Sequence, residues 1–304
     1  MTTDGARLRH SALVYGSPEE FLARSVPFLS EGLATGEGAI VAHVRDGLAL
    51  MHDALGADAA RTTFVDVSDA YTRPARTLAA YHTAFAGELE RTASFRAVAD
   101  VQFGPDPGEL DLWMGYEAVF NRSFEHLPAW IWCSYDADGT PERLLETVWR
   151  THPEVLDDDG WHASGRFEDP DELLRRVTPE PVRLVDLRSV PFGGSIEELR
   201  ESIARELVAN DVPEARALDM LMAVTEVARN AIDHGGGVKD VRVGRSDERF
   251  VCEIVDRGAG FDDPTAGYLA PREGSGAGLW VARQLTWRIE FFRSADGFTA
   301  RIWL

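Results

Sequence analysis

The stretch TEVARNAIDHGGG, Thr225–Gly237, joins two kinds of sequence. Its first part continues an apolar spacing of Leu218, Leu221, Met222, Thr225, Ala228 and Ile232, which predicts a helix over 213–233. On that helix Glu226 and Asn230 lie four residues apart and share one face. The helix then gives way to three glycines. Taken alone, a Glu/Asn pair at this spacing is more often a solvated helix surface than a site, so its neighbours must decide.

Downstream, VRVGRS and RFVCEIVD read as a strand pair, and the second strand runs directly into Asp256-Arg257-Gly258-Ala259-Gly260-Phe261. A further glycine segment, Gly274-Ser275-Gly276-Ala277-Gly278-Leu279, opens a helix expected from Gly278 to Thr286. The chemistry of the three elements is complementary. An asparagine carbonyl beside a carboxylate is a hard-oxygen site of the kind that holds Mg²⁺ together with substrate phosphates. An aspartate at a strand end can accept from an exocyclic amine, and the glycines after it let a planar base approach the backbone. Bare N–H groups at a helix N-terminus favour phosphate.

The rest of the second half supplies the frame. VRLVDL (182–187) is expected as a strand, and 195–209 as a helix opened by a Ser195/Glu198 capping box. WRIEFFR and FTARIWL close the chain as strands. Helices grouped before a run of adjacent strands predict an α/β sandwich with a mixed or antiparallel sheet.

The first half alternates differently. Strands are expected at 10–16, 39–44, 62–67, 95–101 and 129–136, separated by helical patterns. The first of these helices opens at Ser17-Pro18-Glu19-Glu20 as N-cap, first-turn proline and capping box. Such alternation predicts a doubly wound, mostly parallel sheet. GLATGEGAI (Gly32–Ile40) lacks the GK[ST] of a phosphate loop and reads as a helix-ending turn. Acidic and proline-rich punctuation between Asp157 and Pro181 marks a boundary, giving domains at 1–160 and 182–304 with a linker over 161–181.

Composition narrows the function classes. The 304 residues carry a formal charge of −20, with Lys239 as the single lysine, which opposes binding to nucleic acid. No apolar run is long enough for a membrane span and no signal peptide is visible, so a cytoplasmic protein is expected. Cys133 and Cys252, far apart and in strand-like surroundings, read as two buried thiols. His10, His43 and His152 show no metal-ligand spacing. Trp113, Tyr116, Trp130, Trp132 and Tyr135 read as core, with the lining of a ligand pocket as the alternative.

The order Glu226/Asn230, Asp256-x-Gly258-x-Gly260, Gly274-x-Gly276-x-Gly278 resembles the N box and two glycine boxes of the GHKL (Bergerat-fold) ATPases, over roughly Val182 to Leu304. The compact form around NAIDHG looks most like the anti-sigma-factor serine kinases. That resemblance implies ATP and Mg²⁺ as cofactors. Asn230 would hold the metal and Glu226 would act as general base or orient the attacking hydroxyl. Asp256 would bind the adenine amine in a pocket shaped by Gly258 and Gly260, and Gly274, Gly276 and Gly278 would form the phosphate lid. Its implied partners are a sigma factor and an anti-anti-sigma protein of the STAS kind. Arg257 and Trp280 depart from the small or aliphatic residues expected there.

In the first half, LRHSALVYGSPEEFLARSVPFLSEGLATGEGAIVAHV, GYEAVFN, WCSYD and THPEVL resemble the MEDS sensory domain over about Leu8 to Leu156. This implies a degenerate RecA-like fold that binds a small organic signal. The combined expectation is a sensory domain controlling a serine/threonine kinase, with a homodimer among the assemblies left open. The alternatives are an ATP-binding module that sequesters a partner without catalysis, and a sensor histidine kinase. The last lacks a long helix pair with a phosphoacceptor histidine before the ATP domain, since Pro153 follows His152.

Overall fold

A computed structural model describes residues 7–68, 70–102, 110–178, 180–246, 248–271 and 276–304. The chain divides into two compact units, Met1–Thr178 and Pro179–Leu304.

The first unit is a wound α/β sheet. Its strands are β1 (Arg9–Tyr15), β2 (Gly38–His43), β3 (Thr62–Asp66), β4 (Phe95–Asp100), β5 (Ala129–Asp136), β6 (Glu154–Asp157) and β7 (Gly160–Ala163). They are arranged in the order β3-β2-β4-β5-β1-β6-β7. Pairing is parallel from β3 to β6, and β7 turns back antiparallel on β6. Helices α1 (Pro18–Thr35), α2 (Arg45–Leu55), α3 (Pro74–Leu89), α4 (Leu110–Phe124) and α5 (Glu142–Thr151) alternate with the strands. The connections place helices on both faces, so β2 and β4 are buried along almost their whole length and carry no polar alternation.

Local chemistry sets the helix ends. Ser17 Oγ accepts the Glu20 N–H at 3.2 Å, while Glu20 Oε2 reaches back to the Gly16 N–H at 2.9 Å. At the other end of α1, Gly36 adopts φ +89°, and the next residue's N–H bonds Gly32 O at 2.9 Å. GLATGEGAI is thus a left-handed helix cap, as read, and not a phosphate cradle.

The proposed linker takes a different form. Residues 161–178 belong to the first unit: β7 pairs with β6, and α6 (Pro170–Val177) buries Leu173, Leu174 and Val177. Asp169 caps α6 by accepting the Asp171 and Glu172 N–H groups at 3.0 Å. Prolines and acids that looked like punctuation are therefore the first turn of a short helix. The strand expected at 182–187 is also absent. Only β8 (Arg188–Ser189) pairs with the next strand, and Val182 and Val185 are exposed, so no apolar face there requires a partner.

The second unit stacks α7 (Ile196–Ala209), α8 (Glu214–Asp233) and α9 (Gly278–Leu285) against a five-stranded antiparallel sheet. Its strands are β8, β9 (Val238–Ser246), β10 (Arg249–Asp256), β11 (Arg288–Ser294) and β12 (Gly297–Trp303), ordered β11-β12-β10-β9-β8. Alternation selects the face. Val241 and Val243, Phe250, Cys252 and Ile254, and Ala300 and Ile302 meet Leu199, Ile203, Met220, Val224, Val227 and Ala282 from the helices. The intervening positions form a cross-strand ion ladder, in which Arg301 bonds Glu253 at 2.7 Å and Glu290 at 3.2 Å. The α/β class expected for each half is what the structure has.

Candidate functional site

Asp256 ends β10 with its side chain buried. Its Oδ1 accepts the Gly258 N–H at 2.7 Å, tying the carboxylate to the turn that follows. The reason the preceding helix dissolves into glycines is visible at this point. A Cβ on Gly235 would stand 2.5 Å from Asp256 Oδ2, and a Cβ on Gly258 would stand 2.9 Å from Gly235 Cα. The end of α8 and the turn after β10 therefore touch backbone to backbone. Burial pushes the Asp256 carboxyl above the usual aspartate range, and the Gly258 N–H draws it part of the way back.

Arg257, noted as a departure, staples the same junction. Its N–H bonds Gly235 O at 3.0 Å and its guanidinium bonds Val238 O at 2.8 Å. Gly260 adopts φ +64°, and a Cβ there would run into the Phe298 ring. No role at this junction was read from the sequence for Gly235 or Arg257, although the third residue of the DHG run was a signal for close backbone approach.

Glu226, Asn230, Asp256, Gly260, Gly276 and Gly278 all line one cavity of about 990 Å³ in the second unit. Ile254, Phe261, Phe291, Phe298 and Ala300 add an apolar wall. Gly258 lies behind the wall, against Gly235. Gly274 lies outside the described residues. Glu226 is half-buried, 3.6 Å from Arg229 one turn on, and a Cβ on Gly278 would stand 2.5 Å from its Oε2. The glutamate thus abuts the first residue of α9, where the helix dipole favours negative charge. Trp280, the other departure, lines the cavity from α9.

A further residue shapes the rim. The Arg283 guanidinium on α9 is buried, donates to Ala266 O at 2.6 Å and Ile289 O at 3.1 Å, and stacks 3.9 Å over the Tyr268 ring. It fastens the segment around Ala266 to α9 and to the start of β11. An arginine in an amphipathic helix gives no sequence signal for such a role.

In the first unit, Trp113, Tyr116, Trp132 and Tyr135 are buried among other side chains, while Trp130 is half-covered by Arg9, 3.5 Å from its ring. The three histidines, without metal-ligand spacing along the chain, do not all stay apart in the fold. His43 stands apart at the end of β2, 3.4 Å from Asp100, but His10 and His152 lie with ring centroids 4.1 Å apart. Spacing along the chain could not show this, because the sheet order places β1 beside β5 and β6.

A carboxylate and a carboxamide on one helix, an aspartate at a strand end and glycines opening a second helix, around one cavity on an α/β sandwich, define a kinase-like ATPase domain. Residues 194–303 match the model of the histidine kinase-like ATPase domain. Residues 9–153 match the model of MEDS, the methanogen/methylotroph, DcmR sensory domain. The chain is a MEDS sensory domain joined to a histidine kinase-like ATPase domain, which makes it a signalling regulator. No curated protein matched the chain. Among the described residues no helix is long and apolar enough to cross a membrane.

Proposed function

We propose that the MEDS domain controls an ATP- and Mg²⁺-dependent serine/threonine kinase of the anti-sigma-factor type, acting in the cytoplasm. The observation that carries this reading is the convergence of Glu226, Asn230, Asp256, Gly260, Gly276 and Gly278 on one cavity. Its volume, about 990 Å³, is at the upper end of small-ligand sites. The residues present fit the nucleotide. Asp256 offers a partly desolvated acceptor for an exocyclic amine, beside glycines that leave room for a ring. The Asn230 side chain offers a neutral oxygen donor for a hard cation.

Bound ATP would supply the phosphoryl group, and Mg²⁺ would neutralise charge on the phosphates. The chain's own contribution is positioning. Asp256 holds the base end of the cavity, Asn230 the metal side, and Gly276 and Gly278 present backbone N–H groups at the start of α9. Glu226 would orient a serine or threonine hydroxyl and accept its proton. The partners in this reading are a STAS-type anti-anti-sigma protein as phosphoacceptor and a sigma factor as the sequestered target. A small organic ligand of the MEDS domain is the proposed input.

A second reading is favoured by one observation. Glu226 is already engaged with Arg229 and packed against the start of α9, which suits a structural role in a nucleotide-dependent binding module. A sensor histidine kinase is disfavoured, since His152 is fully buried at the end of α5.

Incubation with labelled Mg·ATP and a STAS protein should give acid-stable phosphoserine or phosphothreonine. Glu226→Gln should keep nucleotide binding and lower transfer by roughly 10²- to 10⁴-fold, the usual contribution of a general base. Asn230→Ala should lose Mg²⁺-dependent binding itself. No transfer by nucleotide-bound wild type would remove the kinase, and full activity of Glu226→Gln in cells would favour sequestration.

A further inference from the structure

Four side chains distant in sequence meet inside the first unit. His10 on β1, Glu117 on α4, Cys133 on β5 and His152 at the end of α5 are all buried, and their ligand atoms lie within 4.8 Å of one another. Register explains part of this. Cys133 pairs with Ala12 across the parallel β1/β5 ladder, so His10, two residues earlier, lies on the same face diagonal to it. His10 Nε2 is 3.1 Å from Cys133 Sγ, and His152 Nε2 is 3.9 Å from Glu117 Oε2.

The outer hydrogen bonds orient both rings. Asn121 donates from Nδ2 to Thr151 O at 2.7 Å and to Glu117 O at 3.2 Å, which turns its Oδ1 toward His10 Nδ1 at 3.1 Å. His152 Nδ1 lies 3.0 Å from Val148 O, a group that can only accept, and 3.0 Å from Thr151 Oγ1, whose own proton goes to Thr147 O. Both histidines therefore carry their proton on Nδ1 and turn the Nε2 lone pair inward. Outer partners fix metal-binding imidazoles in this same way.

As a packed core, this arrangement is poor. Glu117 is buried with the Tyr135 phenol as its hydrogen-bond neighbour, and His152 Nε2, 3.9 Å from Glu117 Oε2, has no partner. Leaving such a nitrogen unpaired in an apolar interior is costly. A divalent cation removes the difficulty. With a thiolate, a carboxylate and two neutral imidazoles the charges sum to zero, which a buried site requires.

We propose that His10, Glu117, Cys133 and His152 form a binding site for a divalent first-row transition ion, with zinc(II) the best fit. Mixed S, N and O donors suit zinc, and its bonds of about 2.0–2.3 Å imply tetrahedral neighbours separated by roughly 3.3–3.5 Å. The observed separations of 3.1 and 3.9 Å bracket that value. Four protein donors leave no open position, so the site is structural or sensory, clamping α4 and the end of α5 to the β1/β5 pair. It stands independently of the nucleotide reading, since every ligand lies in the first unit.

The test is metal content and spectroscopy of the full chain. Natively purified protein should hold about one zinc per chain. Chain produced in zinc-depleted, cobalt-supplemented medium should show the intense ligand-field bands of tetrahedral cobalt(II) and a thiolate-to-cobalt charge-transfer band. Cys133→Ser should abolish the charge-transfer band, and His152→Gln, which removes a ligand, should weaken binding by more than the roughly 10- to 100-fold of an outer-shell change. Cys252→Ser, altering β10 of the other unit, should leave the spectrum unchanged. That variant also decides the matter if Cys133→Ser fails to fold, because Cys133 is then the sole thiol. Folded Cys252→Ser chain that binds neither zinc nor cobalt would overturn the site. So would a charge-transfer band that survives Cys133→Ser, and in either case the buried His10–Cys133 contact is an ordinary hydrogen bond.

Discussion

Replacing Asp256 by Asn separates nucleotide recognition from folding. The two side chains are isosteric, and the amide oxygen can keep the 2.7 Å bond from the Gly258 N–H. What changes is the other position, which becomes an NH₂ donor where the proposed adenine contact needs an acceptor. Loss of a hydrogen bond to a charged acceptor costs about 1.5–3 kcal/mol. At 1.4 kcal/mol per decade that is roughly a 10- to 100-fold weaker Kd for Mg·ATP. Stability should move the other way or not at all. Burial holds the Asp256 carboxyl above the usual range, so the fold disfavours its charge at neutral pH, and the neutral amide removes that penalty. Calorimetric titration with Mg·ATP, paired with thermal melts, reads both quantities. A double cycle with the triphosphate of unsubstituted purine, which lacks the amine, isolates the contact: the variant should lose affinity only for ATP. Wild-type affinity in a folded Asp256→Asn chain, or equal losses for both nucleotides, would refute the assignment of Asp256 to the base.

Other perturbations follow from the same geometry. Gly260→Ala forces a methyl group toward the Phe298 ring at φ +64°. Left-handed strain of about 1–2 kcal/mol and overpacking of about 1–3 kcal/mol should lower the stability of the second unit by roughly 2–5 kcal/mol in chemical denaturation. Arg283→Met removes the donor from Ala266 O and Ile289 O, so amides of 263–271 should exchange faster with deuterium and ATP affinity should fall. Unchanged exchange there would show that Arg283 does not hold the rim. Burial, aided by the charge of His126, lowers the His82 imidazole from 6.5 to about 4. The unfolded chain then binds the extra proton between those values, so this contribution to stability is complete above pH 6.5 and is lost as pH falls toward 4. His82→Phe should flatten that part of the pH–stability curve, and an unaltered slope would exclude His82 as its source.

Local chemistry made much of the molecule legible from the sequence. Ser17 and Glu20 form the cap their spacing predicts, and the five main strands of the first unit fall within a residue or two of their apolar runs. RFVCEIVD and the helical spacing in 213–233 each placed an element where the structure has one. The apolar set on that helix did not name its buried face: Leu218, Met222 and Ile232 are exposed, while Met220, Ala223, Val224, Val227, Ala228 and Ala231 pack inward. The candidate site was legible because its residues come from three short contiguous segments, whose described members, Gly258 apart, line one cavity. Their meeting at one cavity needs only the β10 strand end and the ends of α8 and α9. Segments whose apolar content is small were misread. Prolines and acids at 161–181 concealed β7 and α6, and the valines of 182–187 suggested a strand that no neighbour buries.

Tertiary structure alone decided the rest, because contact between distant residues is set by strand order and register and not by spacing. Gly235 serves to let Asp256 approach, and Arg257 serves to join two turns, only once β10 lies beside the end of α8. His10, Glu117, Cys133 and His152 are separated by runs of 106, 15 and 18 residues and form no motif. The parallel β1/β5 pairing, with α4 and the end of α5 packed over it, brings their donor atoms within 4.8 Å. Sequence specified which side chains were available and which faces were apolar, and packing specified which of them could act together.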